Sequence, residues 1–192
     1  MSDFTLARGE TVASELPLQR THALLVGLFV VYLVLLTWII LWKLEIPFVG
    51  SGNLRRIKLV PFAASGSYGA SDPLEVGINI LLFLPLGTYL GLLRPSWTLW
   101  KHAGTIAAAS LLLEAGQYTL MIGSTDVTDV IANTAGGVIG VLGIAVMRRA
   151  GRLRVSRTAR ILLVGTVLAV LACLVFFASP VRYVLKDVPL TP

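Results

Sequence analysis

The sequence predicts an all-α membrane protein with about five transmembrane helices. Of its 192 residues, 56% are hydrophobic and only 14% are charged, and the mean hydropathy is +0.83. A soluble domain carries about 25% charged residues, so this chain has too little polar surface to cover a water-soluble globule. Long apolar segments recur along it, each sufficient to cross a hydrocarbon core of about 30 Å.

Five segments have the required length. In order, they lie at about residues 21–42, 76–93, 101–122, 126–147 and 161–179. The first is too long for a typical signal peptide and no A-x-A cleavage site follows it, so we interpret it as an uncleaved anchor. The third is the least apolar. We expect residues 21–179 to form a single transmembrane domain, with short tails at 1–20 and 180–192.

Positive charge sets the expected orientation. The net charge is +6, and six of the sixteen Lys and Arg lie between Arg148 and Arg160. Because the more basic connections share a side with the N-terminus, the positive-inside rule places that terminus in the cytoplasm and the C-terminus outside. A basic loop beside apolar segments suits anionic lipid, so we expect no nucleic-acid partner.

Several of the predicted membrane spans contain ionisable or amide side chains near one end. An ionisable side chain inside a membrane span costs about 2.5 to 3.5 kcal/mol on insertion scales. The polar residues at the outer ends of the second, third and fourth segments are Asn79, Glu114, Gln117, Asp126, Asp129 and Asn133. Spacings of three and four place those of each segment on one helix face, which predicts a polar pocket open to the outside. A purely structural role, as a helix cap or as interhelical hydrogen bonds, is the alternative for Asp126 and the two asparagines.

Small residues continue the polar stripe of the fourth segment. Ala132, Gly136 and Gly140 form a small-xxx-small pattern, and Gly87 and Gly91 offer a similar surface on the second segment. Such patterns let two helices approach closely. We expect the second, third and fourth segments to form a close-packed core beneath the pocket.

The predicted outer loop before the second segment mixes basic and apolar residues. It contains Arg55, Arg56 and Lys58 beside Ile57, Leu59, Val60 and Phe62. An amphipathic stretch of this kind predicts contact with lipid head groups at the outer surface. An ordinary solvated loop is the alternative.

Four motifs occur in order along the middle of the chain. They are Leu59-Val60-Pro61-Phe62, Asn79-x3-Phe83-x-Pro85-x-Gly87, Glu114-x2-Gln117 and Asp126-x2-Asp129-x3-Asn133-Thr134-x-Gly136. Together they resemble the VanZ-like family of bacterial membrane proteins, over about residues 55–148. The resemblance implies a small multi-pass protein of the bacterial cell membrane, and the family's named member is associated with resistance to the glycopeptide antibiotic teicoplanin.

The chain departs from the family pattern next to the acidic motif. Family members usually carry an arginine just before Asp-x2-Asp, where this chain has Gly123-Ser124. The resemblance therefore implies carboxylates that lack their ion-pair partner.

Three functions remain open from the sequence, which contains no soluble catalytic motif. The first is an envelope protein that binds a membrane lipid, a lipid-linked wall precursor or a lipophilic glycopeptide in the outer pocket. The second is a metal-assisted transferase or hydrolase acting on a lipid phosphate. The oxygen ligands would suit Mg²⁺ or Ca²⁺, although the sequence requires no cofactor. The third is a proton- or cation-coupled transporter, which with five spans would have to form an oligomer.

Overall fold

The computed structural model describes residues 3–42, 47–50, 56–63 and 71–178. Within these ranges lie the helices α1 (Asp3–Trp42), α2 (Pro73–Leu93), α3 (Leu99–Leu120), α4 (Val127–Arg149) and α5 (Val155–Ala178). Two short strands, β1 (Arg56–Lys58) and β2 (Ser124–Asp126), pair in parallel. The predicted helical membrane fold is confirmed, and four of the helices are long and apolar enough to cross a membrane.

Two helices begin earlier than the apolar pattern predicts. The first helix begins at Asp3 rather than near Thr21, so residues 3–20 belong to it. The last begins at Val155 rather than near Ile161. Hydropathy marks only the apolar part of each helix and does not detect its polar extension. The predicted C-terminal tail, residues 180–192, lies outside the described residues.

The third helix is less apolar than the other four. Its 22 residues form a helix as predicted, but its hydropathy alone does not mark it as a membrane span. At 1.5 Å per residue it is about 33 Å long. It runs antiparallel to α4, because Ser110 contacts Asn133 while Ile106, one turn earlier, contacts Gly137. Its polar residues can be accommodated because several of them are buried against protein: His102, Ser110, Glu114 and Gln117.

The closest helix contact joins α2 and α4. A Cβ atom added at Gly136 would collide with the carbonyl oxygen of Ile80, and one added at Gly140 would collide with the carbonyl oxygen of Leu84. Glycine therefore allows the two backbones to touch directly. Since both numbers of each pair rise together along the chain, the two helices run parallel.

The second helix contributes its own small residues to this interface. A Cβ atom at Gly87 would collide with the backbone of Gly137, and one at Gly91 would lie 3.2 Å from Cβ of Ile144. Ala132 is also buried. These contacts extend the α2–α4 interface over more than two helical turns.

Side-chain caps fix where the helices of this core begin. Asp72 caps α2, Thr98 caps α3 and Asp126 caps α4, each by accepting a hydrogen bond from a backbone N–H in the first turn. Because α2 and α4 are parallel and in contact, their capped ends lie side by side. The end of α3 joins them there, and the strand pair covers the same end.

Apolar side chains surround the glycine contact. Leu36, Phe83, Leu86, Leu90, Ile106 and Val141 form one buried cluster between the first four helices. The last helix packs mainly on α1, where the rings of Trp38 and Phe177 lie 5.0 Å apart. Most of the remaining surface of α5 is exposed and apolar.

Replacing Gly136 by alanine tests the backbone contact. We expect Gly136→Ala to lower the free energy of unfolding by roughly 1 to 3 kcal/mol, because the added Cβ forces α2 and α4 apart. Gly143→Ala is the matched control, since a Cβ atom there has nothing within 4 Å. Thermal unfolding of the purified proteins in detergent measures both, and equal midpoints for the two variants would contradict the contact.

Candidate functional site

Polar side chains from three helices and both strands meet where α2 and α4 begin and α3 ends. We call this cluster the polar site; it consists of Lys58, Ser71, Asn79, Ser110, Glu114, Asp126, Thr128, Asp129 and Asn133. All nine of these residues are buried or half-buried. Five of the six polar residues predicted to line the pocket form hydrogen bonds within the polar site, and the sixth is Gln117.

An ion pair lies at the strand end of the polar site. Lys58 Nζ lies 3.3 Å from Asp126 Oδ2 and donates to Ser71 Oγ at 2.7 Å. Ser71 Oγ in turn donates to Asp126 Oδ2 at 3.2 Å. Lys58 is only 5% exposed, so its charge depends on these oxygens in place of water.

This position of Lys58 corrects two expectations. The residue was expected beside Arg55 and Arg56 on a lipid-facing surface, but it is buried in the polar site. The carboxylates were expected to lack a cationic partner, but Asp126 has one. The reason is the parallel register of β1 and β2, which sets Lys58 opposite Asp126. Arg55 and the side chain of Arg56 lie outside the described residues.

The carboxylate of Asp126 lies just before α4 and is held in its ionised form. Burial acts to raise its pKa. Hydrogen bonds from Thr128, one of them from its N–H at 2.8 Å, and the ion pair with Lys58 outweigh burial and place the pKa of Asp126 below its usual value of 3.8. The stability that these contacts supply is therefore fully present above that value. It is lost as pH falls through the lower pKa of the folded protein.

Two further carboxylates connect the three core helices. Glu114 on α3 is buried, and its Oε2 accepts the backbone N–H of Asp126 at 3.2 Å. Asn79 of α2 donates its Nδ2 to Oδ1 of Asp129, in the first turn of α4, at 2.8 Å. The start of α4 is thus bonded to both of its neighbours through oxygen-bearing side chains.

An amide forms the floor of the polar site. Asn133 follows Asp129 by one helical turn, and Ser110 precedes Glu114 by one turn; Asn133 Nδ2 donates to Ser110 Oγ at 2.9 Å. Asn133 is 1% exposed, and its Oδ1 has no hydrogen-bond partner within the described part of the chain. A buried acceptor without a partner costs about 1 to 3 kcal/mol, so a ligand that donates a hydrogen bond there would be stabilised.

Gln117 does not point toward the carboxylates with which it was grouped. Its Nε2 donates to the backbone oxygen of Ile40 at 2.7 Å, so it connects α3 to α1. Gln117 follows Glu114 by three residues, so the two could share a helix face. However, α1 also packs against α3, and the Gln117 side chain bonds to α1 instead.

An exposed apolar loop lies directly beside the polar site. Leu59 is 71% exposed and Phe62 is 51% exposed. The backbone of Phe62 has a φ of 61°, in the left-handed region that bulky residues avoid, and its N–H donates to Thr128 Oγ1 at 3.0 Å. This hydrogen bond connects the loop to the start of α4. We call residues 59–62 the apolar rim.

The sequence signalled some of the missed site residues and not others. Ser110 precedes Glu114 by four residues, so helical periodicity alone could have placed it on the same face. Thr128 lies inside the motif Asp126-x2-Asp129, so its hydroxyl could have been predicted as part of the site. Ser71 lies in a connecting segment, and no sequence pattern pointed to it.

No group of three or more His, Cys, Asp or Glu among the residues that the structure describes is arranged to hold a metal ion.

Comparison with known proteins relates this part of the chain to one family. The family model described as VanZ/LLP1 matches residues 29–148. The chain is also 34% identical over 116 residues to "Protein VanZ" of Enterococcus faecium, an alignment that covers 59% of this chain and 69% of that protein. No solved structure matches. The matched range contains the whole polar site and ends before α5.

Removing Lys58 tests the ion pair. We expect Lys58→Met to lower the free energy of unfolding by roughly 2 to 3 kcal/mol, less than the 3 to 5 kcal/mol of a fully buried pair, because the Asp126 side chain keeps 17% of its exposure. Combining it with Asp126→Asn should cost less than the sum of the two single changes. Thermal unfolding at pH 7 measures all three variants. Strictly additive losses would show that the two side chains do not interact.

Proposed function

Because the chain belongs to the VanZ/LLP1 family, we propose that it is a multi-pass protein of the bacterial cell membrane that binds an amphipathic envelope component in its polar site. The ligand class is a membrane lipid, a lipid-linked wall precursor or a lipophilic glycopeptide. One observation carries this proposal: a buried cluster rich in hydrogen-bond acceptors adjoins an exposed apolar rim.

The polar half of such a ligand would donate hydrogen bonds. Glu114 and Asp129 supply carboxylates, and Asn133 supplies a buried amide oxygen without a partner. The cation of the site, Lys58, is already paired with Asp126. An excess of acceptors over donors favours a head group that carries amine, amide or hydroxyl hydrogens.

The apolar half would lie against the rim and α2. Leu74, Ile78 and Leu81 follow spacings of four and three, and all three are exposed. This face of α2 begins at the same end of the helix as the polar site and runs along the side of the helix turned away from α4. A ligand with its head in the polar site could therefore keep its hydrocarbon in the membrane, at no cost in exposed apolar surface.

The family resemblance supplies the physiological role in this proposal. A protein that holds a lipophilic glycopeptide, or the lipid-linked precursor that such a drug attacks, would protect the wall from that drug. We therefore propose that the chain contributes to resistance against glycopeptides of the teicoplanin type. The polar site would face the outer leaflet, as the positive-inside rule predicts.

The other two functions use the same carboxylates but have weaker support. A metal-assisted enzyme would need a set of carboxylates arranged around one ion, and the described residues contain no such group. A transporter would need a relay of polar groups through the membrane. Loss of activity in the presence of a metal chelator would favour the enzyme hypothesis. Activity that depends on the proton gradient would favour the transporter hypothesis.

Complementation of a deletion strain tests the proposed function. We expect the deletion to increase susceptibility to lipophilic glycopeptides several-fold and the wild-type gene to restore it. Asp129→Asn and Glu114→Gln should reach the membrane in normal amounts but fail to restore resistance, because each loses a carboxylate of the polar site. Asp72→Asn is the control, since it also removes a carboxylate and asparagine caps α2 equally well.

Two results would count against the proposal. Full resistance from both site variants would remove the polar site from the mechanism. Unchanged susceptibility of the deletion strain would exclude the resistance role, and binding of a fluorescent glycopeptide to the purified protein would then decide whether the ligand class is also wrong.

A further inference from the structure

A surface cavity of about 520 Å³ lies at the start of α5. It is lined by Arg154, Ser156, Arg157, Arg160, Ile161 and Val164. These residues lie beyond the 29–148 range of the family match. The cavity also lies far from the polar site, because α5 follows the end of α4 whereas the polar site surrounds its beginning.

The mouth of the cavity is strongly basic. Arg154, Arg157 and Arg160 are exposed, and none of their side chains forms an ion pair or a hydrogen bond with the part of the chain that the structure describes. The first hydrogen bonds of the helix are donated by the backbones of Arg157 and Thr158 to the oxygen of Arg154. The N–H groups before them remain available to an acceptor, at the positive end of the helix dipole. One guanidinium group can donate two parallel hydrogen bonds to the oxygens of a phosphate.

The inner wall of the cavity is apolar and continues along the helix. Ile161 and Val164 line it, and both are exposed. The exposed residues Leu168, Leu171 and Val175 follow them at spacings of four, three and four. A basic mouth above an exposed apolar stripe matches a molecule that has an anionic head and a hydrocarbon tail. A free phosphate would leave the apolar wall unused.

We propose that this cavity binds the phosphate head group of an anionic phospholipid, with an acyl chain lying along the apolar stripe of α5. By the positive-inside rule this site faces the cytoplasmic leaflet. It is independent of the function proposed for the polar site, since it shares no residue with it. The lipid would hold α5, which packs mainly on α1, at a defined position in the membrane.

Lipid titration of the purified full chain, followed by native mass spectrometry, tests this site. The probe is phosphatidylglycerol, and the comparison is phosphatidylcholine, whose zwitterionic head group carries no net charge. We expect Arg157→Gln to weaken phosphatidylglycerol binding about fivefold and Arg157→Gln with Arg160→Gln to weaken it on the order of 25-fold. Arg157→Lys, which keeps the charge but loses the planar pair of guanidinium donors, should weaken binding by less than Arg157→Gln does, about twofold to threefold.

Arg152→Gln is the matched control. Arg152 is an exposed arginine in the segment between α4 and α5, and it does not line the cavity. Its loss should therefore change binding by less than about twofold. An equal loss in Arg152→Gln and Arg157→Gln would show diffuse attraction to the whole basic loop and overturn the site. Equal binding of the two lipids, or displacement of the lipid by millimolar inorganic phosphate, would overturn the anionic phospholipid as its ligand.

Discussion

The contact between the backbones of α2 and α4 is the constraint on which the rest of the structure depends. Gly136 and Gly140 leave no space for a side chain between their helix and the carbonyl oxygens of its partner. In a membrane, where apolar side chains gain little by leaving lipid for protein, such close packing is a main source of helix association. A residue larger than glycine at these positions would force the two helices apart and displace the side chains of the polar site that depend on them.

The helices α2 and α4 run parallel through this contact. Because they are parallel, their first turns lie next to each other, and the polar site forms there. Two capped helix starts lie side by side, and α3 returns antiparallel and ends beside the start of α4. Glu114 from α3 and Asn79 from α2 then both reach the start of α4. The resulting site has more acceptors than donors, and the unpaired oxygen of Asn133 lies at its floor. Buried polar atoms without a hydrogen-bond partner are rare in native proteins, and a ligand that donates a hydrogen bond to this oxygen would remove the cost.

Hydropathy and helical spacing predicted the helices and part of the polar site, because both depend on residues close in sequence. Glu114 and Asp129 were recognised since a carboxylate in an apolar segment is costly wherever the chain folds. Lys58 was misplaced because its partner is set by a strand pairing across 68 positions, which no local pattern encodes. Gln117 was misplaced because its partner, Ile40, belongs to the first helix. Hydropathy also could not detect that residues 3–20 continue that helix.

The side of the membrane that the polar site faces is the most direct test of envelope binding. With the single cysteine removed by Cys173→Ser, Leu59→Cys reports on the apolar rim, and Arg152→Cys reports on the opposite end of the molecule. In intact cells we expect a membrane-impermeant maleimide to label the Leu59→Cys protein, and to label the Arg152→Cys protein only after permeabilisation. The reverse pattern would place the polar site at the cytoplasmic face, where no external glycopeptide or wall precursor could reach it, and would contradict the proposed function.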